Sequence, residues 1–171
     1  WSADTRLTNN PAFSSSASVA VSGSNVCVVW HDDRDNNFEI YCKRSTDAGT
    51  TWGTDTRLSN NTNISKTPSV AISGSVVNVV WNDQRDGNEE IYFRRSTNAG
   101  ANWGAETRLT NNTAVSQWPS IVMSGNISHI IWKDERDANP EIYYKRSTDA
   151  GVNWEADTRL TNNTSNQIFS S

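Results

Sequence analysis

The sequence predicts an all-β protein: a β-propeller of four-stranded antiparallel blades, three blades per chain. Three observations predict it. Trp1, Trp52, Trp103 and Trp154 recur every 51 residues along the 171-residue chain, and a fixed period of that length marks units that bury their apolar surface on one another. Each unit holds four short runs of strand character, punctuated by turn residues. No stretch keeps a helical period.

The second unit shows the elements in order. Pro68-Ser69-Val70-Ala71-Ile72-Ser73 alternates and stops at Gly74, giving an inner strand A. Val76-Val77-Asn78-Val79-Val80-Trp81 is a β-branched run, strand B. Its nearly continuous apolar character fits a sheet covered on both faces. Glu90 to Ser96 is strand C, and Trp103 to Leu109 is strand D. Four short strands covered on both faces describe a propeller blade. The chain then divides as one propeller segment over 1–171: an extra outer strand at 1–10, blades at 11–61, 62–112 and 113–163, and a tail at 164–171.

Composition narrows the partners. A formal charge of −4 and a pI near 5.1 argue against nucleic acid, which demands a basic face. No apolar run approaches the roughly 20 residues of a membrane span. Trp1 begins inside a repeat, so the chain reads as a mature form or an excised fragment. Abundant Asn and Thr with little Lys point to an extracellular or cell-surface setting of bacterial flavour. In such a composition the Asn-x-Ser/Thr triplets are expected by chance.

Cys27 and Cys42 are the two cysteines. A B–C hairpin centred between Arg34 and Asp35 puts them opposite each other. They read either as two small buried hydrophobes or, in an oxidising compartment, as a cross-strand disulfide. Asn78 with Phe93, and His129 with Tyr144, fill the same registers in the sister repeats, so the fold does not need sulfur.

The C–D turn is the most specific signal. Ser45-Thr46-Asp47-Ala48-Gly49-Thr50-Thr51-Trp52 recurs with Ser96, Asn98, Gly100 and Trp103, and with Ser147, Asp149, Gly151 and Trp154. A short Asp or Asn side chain closes a turn on backbone N–H groups ahead of it. Gly accepts positive φ, and Trp52, Trp103 and Trp154 are expected to cover the hairpins as large, mostly buried apolar side chains. The pattern S-x-D-x-G-x-T-W resembles the Asp box, or BNR repeat, of sialidase-like propellers. The resemblance covers the whole chain and implies a structural role for the box, away from any active site.

Strands A, B and C occur three times but strand D four times. Three blades cannot close a ring, since propellers have about 4–8. An open stack exposes two apolar blade faces. Two chains supply six blades, the number the resemblance implies, so a homodimer is expected. The N-terminal and C-terminal D strands then compete for one C-strand edge.

The B–C and D–A loops are expected on one face, opposite the boxes. The B–C loops share the skeleton D-x-R-D-x-N-x-E, with Arg34, Asp35 and Asn37, then Arg85, Asp86 and Asn88, then Arg136, Asp137 and Asn139. It reads first as an ion-pair network with an Asx turn, because a structural need repeats with the fold. It reads second as a carbohydrate site per blade, since these planar groups bind hydroxyls in pairs. A calcium loop is the third reading, against which the spacing and the central Arg speak. Trp118 and Phe13 break the symmetry of the D–A loops; they are either stacking platforms for sugar rings or packing residues under the loop or at the dimer junction. Phe169 shares their setting.

The resemblance implies a hydrolase site of three unique Arg, a Tyr–Glu pair and a separate acid Asp. Here Arg6, Arg34 and Arg44 all have copies, Tyr41, Tyr92 and Tyr143 come one per blade, and the family's Arg-Ile-Pro motif is absent. His31 and His129 share neither register nor partner, so no nucleophilic triad is visible. The reading is a non-catalytic propeller that binds or scaffolds, lectin-like, with no cofactor and no metal. Its rivals are a fragment of a glycoside hydrolase with an incomplete site, and a structural repeat segment of a surface protein.

Overall fold

The computed structural model describes residues 3–137 and 139–162. Trp1, Phe169 and the tail 164–171 lie outside the described residues. Blade 1 comprises β1 (Ser14–Ser22), β2 (Asn25–Asp32), β3 (Glu39–Ser45) and β4 (Thr56–Arg57). Blade 2 comprises β5 (Ser65–Ser73), β6 (Val76–Asp83), β7 (Glu90–Ser96) and β8 (Thr107–Arg108). Blade 3 comprises β9 (Ser116–Ser124), β10 (Ile127–Asp137), β11 (Asn139–Ser147) and β12 (Thr158–Arg159). Each is an antiparallel sheet in the order A-B-C-D. The inner strands β1, β5 and β9 lie side by side, so the three blades form an arc around one edge.

Two apolar layers hold the arc together. Cys27, Val29, Ile40, Cys42 and Leu58 of blade 1 pack on Val70, Ile72, Val77, Val79, Trp81 and Tyr92 of blade 2. Ala71, Val80, Ile91 and Phe93 of blade 2 pack on Ile121, Ile130, Trp132 and Tyr143 of blade 3. Alternate positions of one strand thus enter different layers, as a pleated strand requires. Gly151 marks how closely the blades approach: a Cβ there would stand 2.8 Å from Phe93 and 2.9 Å from Asn78.

Four sequence expectations are corrected by the structure. Strand A starts three residues before Pro68, at Ser65. It bulges between Lys66 and Ser69, with Thr67 at φ 52°. Pro68 has no N–H to give the ladder, and the bulge accommodates it. Strand D is two residues long rather than seven. After each box the chain returns one bond to strand C, Gly53 N–H to Arg44 O at 2.9 Å and Gly104 N–H to Arg95 O at 2.9 Å, before pairing resumes at Thr56 and Thr107.

The B–C hairpin is centred one residue later than expected, between Asp35 and Asn36, because Trp30 pairs with Tyr41 and Asp32 with Glu39. Asn36 takes φ 70° and Gly87 φ 92° at the corner, which sets the turn there. Cys27 therefore faces Arg44, and Cys42 faces Val29. Both are buried free thiols on the layer between blades 1 and 2. Finally, Trp52, Trp103 and Trp154 are half-buried rather than buried. Trp103 and Trp154 lean on the edges of the two apolar layers.

Candidate ligand face

The loops sort onto two ends of the arc. At one end the A–B and C–D turns meet: Ala48 N–H donates to Ser24 O at 2.9 Å, Ala99 N–H to Ser75 O at 2.7 Å and Ala150 N–H to Asn126 O at 2.7 Å. The box residues build that end. Ser45 Oγ accepts from Gly49 N–H at 2.9 Å, and Asp47 Oδ1 accepts from Thr51 N–H at 2.8 Å. Asn98 Oδ1 does the same for Asn102 N–H at 2.8 Å, as does Asp149 Oδ1 for Asn153 N–H at 2.8 Å. Ser96 Oγ and Ser147 Oγ accept from Gly100 and Gly151 N–H. The hydrogen bonds from Thr51 hold the Asp47 carboxyl down to about 2, and those from Asn153 hold Asp149 at about 2. Ala48, Ala99 and Ala150 share positive φ with the glycines that follow them. The box motif signals the glycine but not the alanine.

At the other end the B–C and D–A loops are tied together by the repeated skeleton. Asp32 accepts from Trp30 Nε1 at 3.1 Å, Ser14 Oγ at 2.7 Å, Arg34 N–H at 3.1 Å and Arg34 Nε at 2.8 Å. Asp83 and Asp134 accept the same set. Burial works to raise these three carboxyls, but the bonds from the Arg, Trp and Ser outweigh it and hold them below the usual range. Arg34, Arg85 and Arg136 each reach on to the outer strand, at Asp55 (2.8 Å), Glu106 (2.5 Å) and Asp157 (2.8 Å). Each guanidinium also lies over a Tyr ring, 4.1 to 4.3 Å from the centroid.

The rest of the skeleton is bonded within its blade and to the linker that leads into the next one. Asp35, Asp86 and Asp137 accept the hydroxyls of Tyr41, Tyr92 and Tyr143. Burial, then the neighbouring carboxylate, pushes the Tyr143 phenol up to about 12. Arg57 bridges Asp35 at 3.2 Å and Glu39 at 2.8 Å. Asn37 donates to Glu39 at 2.9 Å and to the carbonyls of Asn61 and Asn63. Asn88 makes the same three contacts in blade 2. Among the described residues, the Arg, Asp, Tyr and Glu groups of this network keep the same partners in all three blades.

The face is not uniform, however. Registers that differ between repeats gather around the inner strands. Ser16, Thr67 and Trp118 share one position, at φ 53°, 52° and 55° on the A-strand bulge. Positive φ is a real outlier for a residue as large as Trp. Trp118 is 51% exposed, with Lys133 Nζ 4.8 Å from its ring centre. Lys133 also pairs with Glu135 at 2.5 Å and donates to Gln117 at 3.4 Å.

Glu89, which replaces Phe38 and Pro140 of the sister blades, is nearly buried and accepts from Gln84 at 2.8 Å, Lys66 at 3.1 Å and Gln117. Burial opposes its charge, but these donors win and lower it. Asn82 shares the register of His31 and Lys133; it is fully buried, and neither amide atom has a partner. On blade 1, Phe13 is 59% exposed and packs edge-on against Phe38, which also meets His31. Burial, then Lys66, lowers His31 below its ordinary value.

The structure therefore separates the sequence candidates. Arg85 and Asn88 line a cleft of about 600 Å³ with Asn63, Gln84, Gly87, Glu89 and Val115. Trp118 and Phe13 stand on different blades, each in its own cluster. Glu89, Gln117, Lys66 and Asn82 were missed by the sequence reading. Their signal was available: each departs from its own copies at 51-residue spacing. Among the described residues, no group of three or more His, Cys, Asp or Glu is placed to hold a metal ion, and no helix is long and apolar enough to cross a membrane.

The blade geometry has known counterparts. Trypanosoma rangeli sialidase superposes with a TM-score of 0.62 at 13% identity, over 88% of this chain and 31% of that one. The fold is that of the sialidase-like β-propellers. The same sialidase as a covalent intermediate with 2,3-difluorosialic acid gives 0.60 at 13% identity, over 86% and 30%. The α-L-arabinofuranosidase of Fusarium graminearum with arabinobiose gives 0.59 at 16% identity, over 80% and 45%. The chain thus spans about a third of the sialidase and less than half of the arabinofuranosidase. No family model and no curated protein sequence matches it.

Proposed function

We propose that this chain is half of a non-catalytic, glycan-binding propeller of extracellular or cell-surface setting, its ring completed by a second copy. The observation that carries this is the contrast on the loop face. The repeated Arg, Asp, Asn, Glu and Tyr groups spend their hydrogen bonds on one another and on the linker to the next blade, while Lys66, Glu89, Gln117 and Lys133, which vary between repeats, form a line of contacts that ends at Trp118. A half-exposed indole offers a stacking surface for a pyranose. Gln117, Glu135 and Lys133 beside it supply paired donors and acceptors for hydroxyls. Lys66 pairs with Glu89 and Lys133 with Glu135, so the strip carries no uncompensated cation. That favours a neutral sugar over an acidic one.

Catalysis by these blades is disfavoured on chemistry. A phenol nucleophile has to ionise, yet burial and an adjacent Asp push the phenols up. A glycosidase needs two carboxyls in unlike environments, one of them raised to serve as the acid. Here the buried Asp of each blade has the same donors. At Glu89, the carboxylate of the cleft, burial is outweighed by Gln84, Lys66 and Gln117, which hold it below its ordinary value. The rival reading is a segment of a glycoside hydrolase, supported by the partial coverage of the sialidase and the arabinofuranosidase.

A glycan array, run beside hydrolysis assays on sialosides and arabinofuranosides, separates the readings. Binding of neutral glycans without turnover is expected, with Trp118→Ala reducing it at least about tenfold at unchanged circular dichroism. Turnover selects the hydrolase segment. Neither binding nor turnover selects a purely structural array.

A further inference from the structure

Blades 1 and 3 carry complementary halves of one more blade junction. Toward the next blade, each sheet presents the Ala71, Val80 and Phe93 registers; blade 3 leaves Val122, Ile131 and Tyr144 there uncovered or half-covered. Toward the preceding blade, each presents the Val70, Ile72 and Val79 registers; blade 1 leaves Val19, Val21 and Val28. The polar seam repeats too. Ser18 Oγ accepts from Val70 N–H at 3.3 Å, and Ser69 Oγ from Ile121 N–H at 3.2 Å. Ser120 is the next in that series.

The N-terminal segment supplies the rest. Asp4 to Asn10 reads Asp-Thr-Arg-Leu-Thr-Asn-Asn, identical to 157–163. Its carbonyl at Leu7 accepts from Lys43 Nζ at 2.5 Å, as Leu58 O does from Arg94 at 2.6 Å and Leu109 O from Lys145 at 2.7 Å. The segment therefore already sits against blade 1 where the last strand of a preceding blade belongs. Among the described residues, however, no strand C pairs with it. Arg57, Arg108 and Arg159 each pair with a strand C Glu and a loop Asp, whereas among the described residues Arg6 donates only to Thr8 O.

We propose that two copies close a six-bladed ring by strand exchange: Asp4–Asn10 of each copy adds to β11 of the other and displaces β12. This rests on the ring reading above and decides how its junction is made. The incoming strand offers β11 the same side chains that leave, so Arg6 takes Asp137 and Glu141, and Leu7 N–H takes the carbonyl of Ile142. The exchange is balanced in these contacts. The gain is burial of the two apolar faces, because the segment runs directly into β1 and carries blade 1 onto blade 3.

The test uses paired cysteines. Tyr144 lies opposite Thr158 in this structure, so exchange puts Thr5 opposite Tyr144 of the other copy. Thr5→Cys with Tyr144→Cys, treated with oxidised glutathione, should give a linked pair near 38 kDa, twice 19.0 kDa, on a denaturing gel. Thr158→Cys with Tyr144→Cys should stay largely unlinked. Deletion of 1–9 should abolish the two-chain mass in light scattering, and deletion of 157–171 should leave it. A two-chain mass with linkage only within the Thr158/Tyr144 variant overturns the exchange and keeps the ring. A single-chain mass for the unmodified protein at micromolar concentration overturns both.

Discussion

The middle blade and its two neighbours share one pattern, yet their matching residues meet different surroundings. Val70 is 5% exposed in blade 2, while Val19, the same register in blade 1, is 65% exposed; Val80 is fully buried, while Ile131 in blade 3 is 41% exposed. The strands carrying them pair in the same register. A repeat therefore encodes a sheet with two apolar faces, and only the next sheet decides whether a face is core or surface. The polar skeleton behaves in the opposite way. Its bonds join the loops of one blade to each other and to the linker into the next, and the Arg, Asp and Tyr partners are the same in all three blades.

The largest effect that probes this contrast is on the apolar side. Phe93→Ala should cost about 3–5 kcal/mol, whereas Tyr144→Ala, its copy on blade 3, should cost about 1 kcal/mol or less in dilute protein. Urea denaturation of both variants measures the difference. If the ring closes, the gap should narrow as the concentration rises through the association range. A gap that is absent even in dilute protein would mean that blade 3 is covered by other means.

Next come the buried carboxylates. Asp83→Asn and Asp134→Asn should each cost about 2–4 kcal/mol by leaving an Arg and a Trp donor poorly matched. The two costs should agree within about 1 kcal/mol, because the same Arg, Trp and Ser donors meet both carboxylates. The native protein should also lose stability in acid. These groups are depressed in the fold, so their contribution is complete above the unfolded Asp value of about 3.9 and fades as pH falls below it. Thermal melts from pH 6 to pH 2 would show this decline, and it should be blunted in Asp83→Asn.

Trp103→Ala should cost about 2–3 kcal/mol, below the range for a fully buried ring, because Trp103 is only half-buried at the edge of its layer. A loss as large as that of Phe93→Ala would show that the box Trp is central to the packing. The smallest change is Asn98→Asp, which gives blade 2 the turn carboxylate of its neighbours. A slight rise in Tm at pH 7 is expected. It should vanish as pH falls toward 2, since the matching Asp47 and Asp149 are held near that value.

Much of this molecule was legible in the residues. The 51-residue period, the β-branched runs and the box turns specified four-stranded blades, because strand pleat and turn chemistry are local properties that each copy carries in full. The internal network of Arg34, Asp35 and Asn37 was legible for the same reason: its partners recur at fixed offsets. The register of the B–C hairpin was misjudged by one residue, since Asn36 can take positive φ without announcing it as glycine does. The short outer strand was missed because a single return bond at Gly53 or Gly104 leaves no trace in hydrophobic pattern.

Other features were decided only in three dimensions. Glu89 reaches Lys66 and Gln117 across 23 and 28 positions, so its role cannot be read from nearby sequence. The sequence by itself determined what each blade is and which faces want covering, because those follow from local geometry and side-chain chemistry. The tertiary structure decided which copies of those faces are covered and which unlike residues meet around Trp118, because burial depends on what another blade brings.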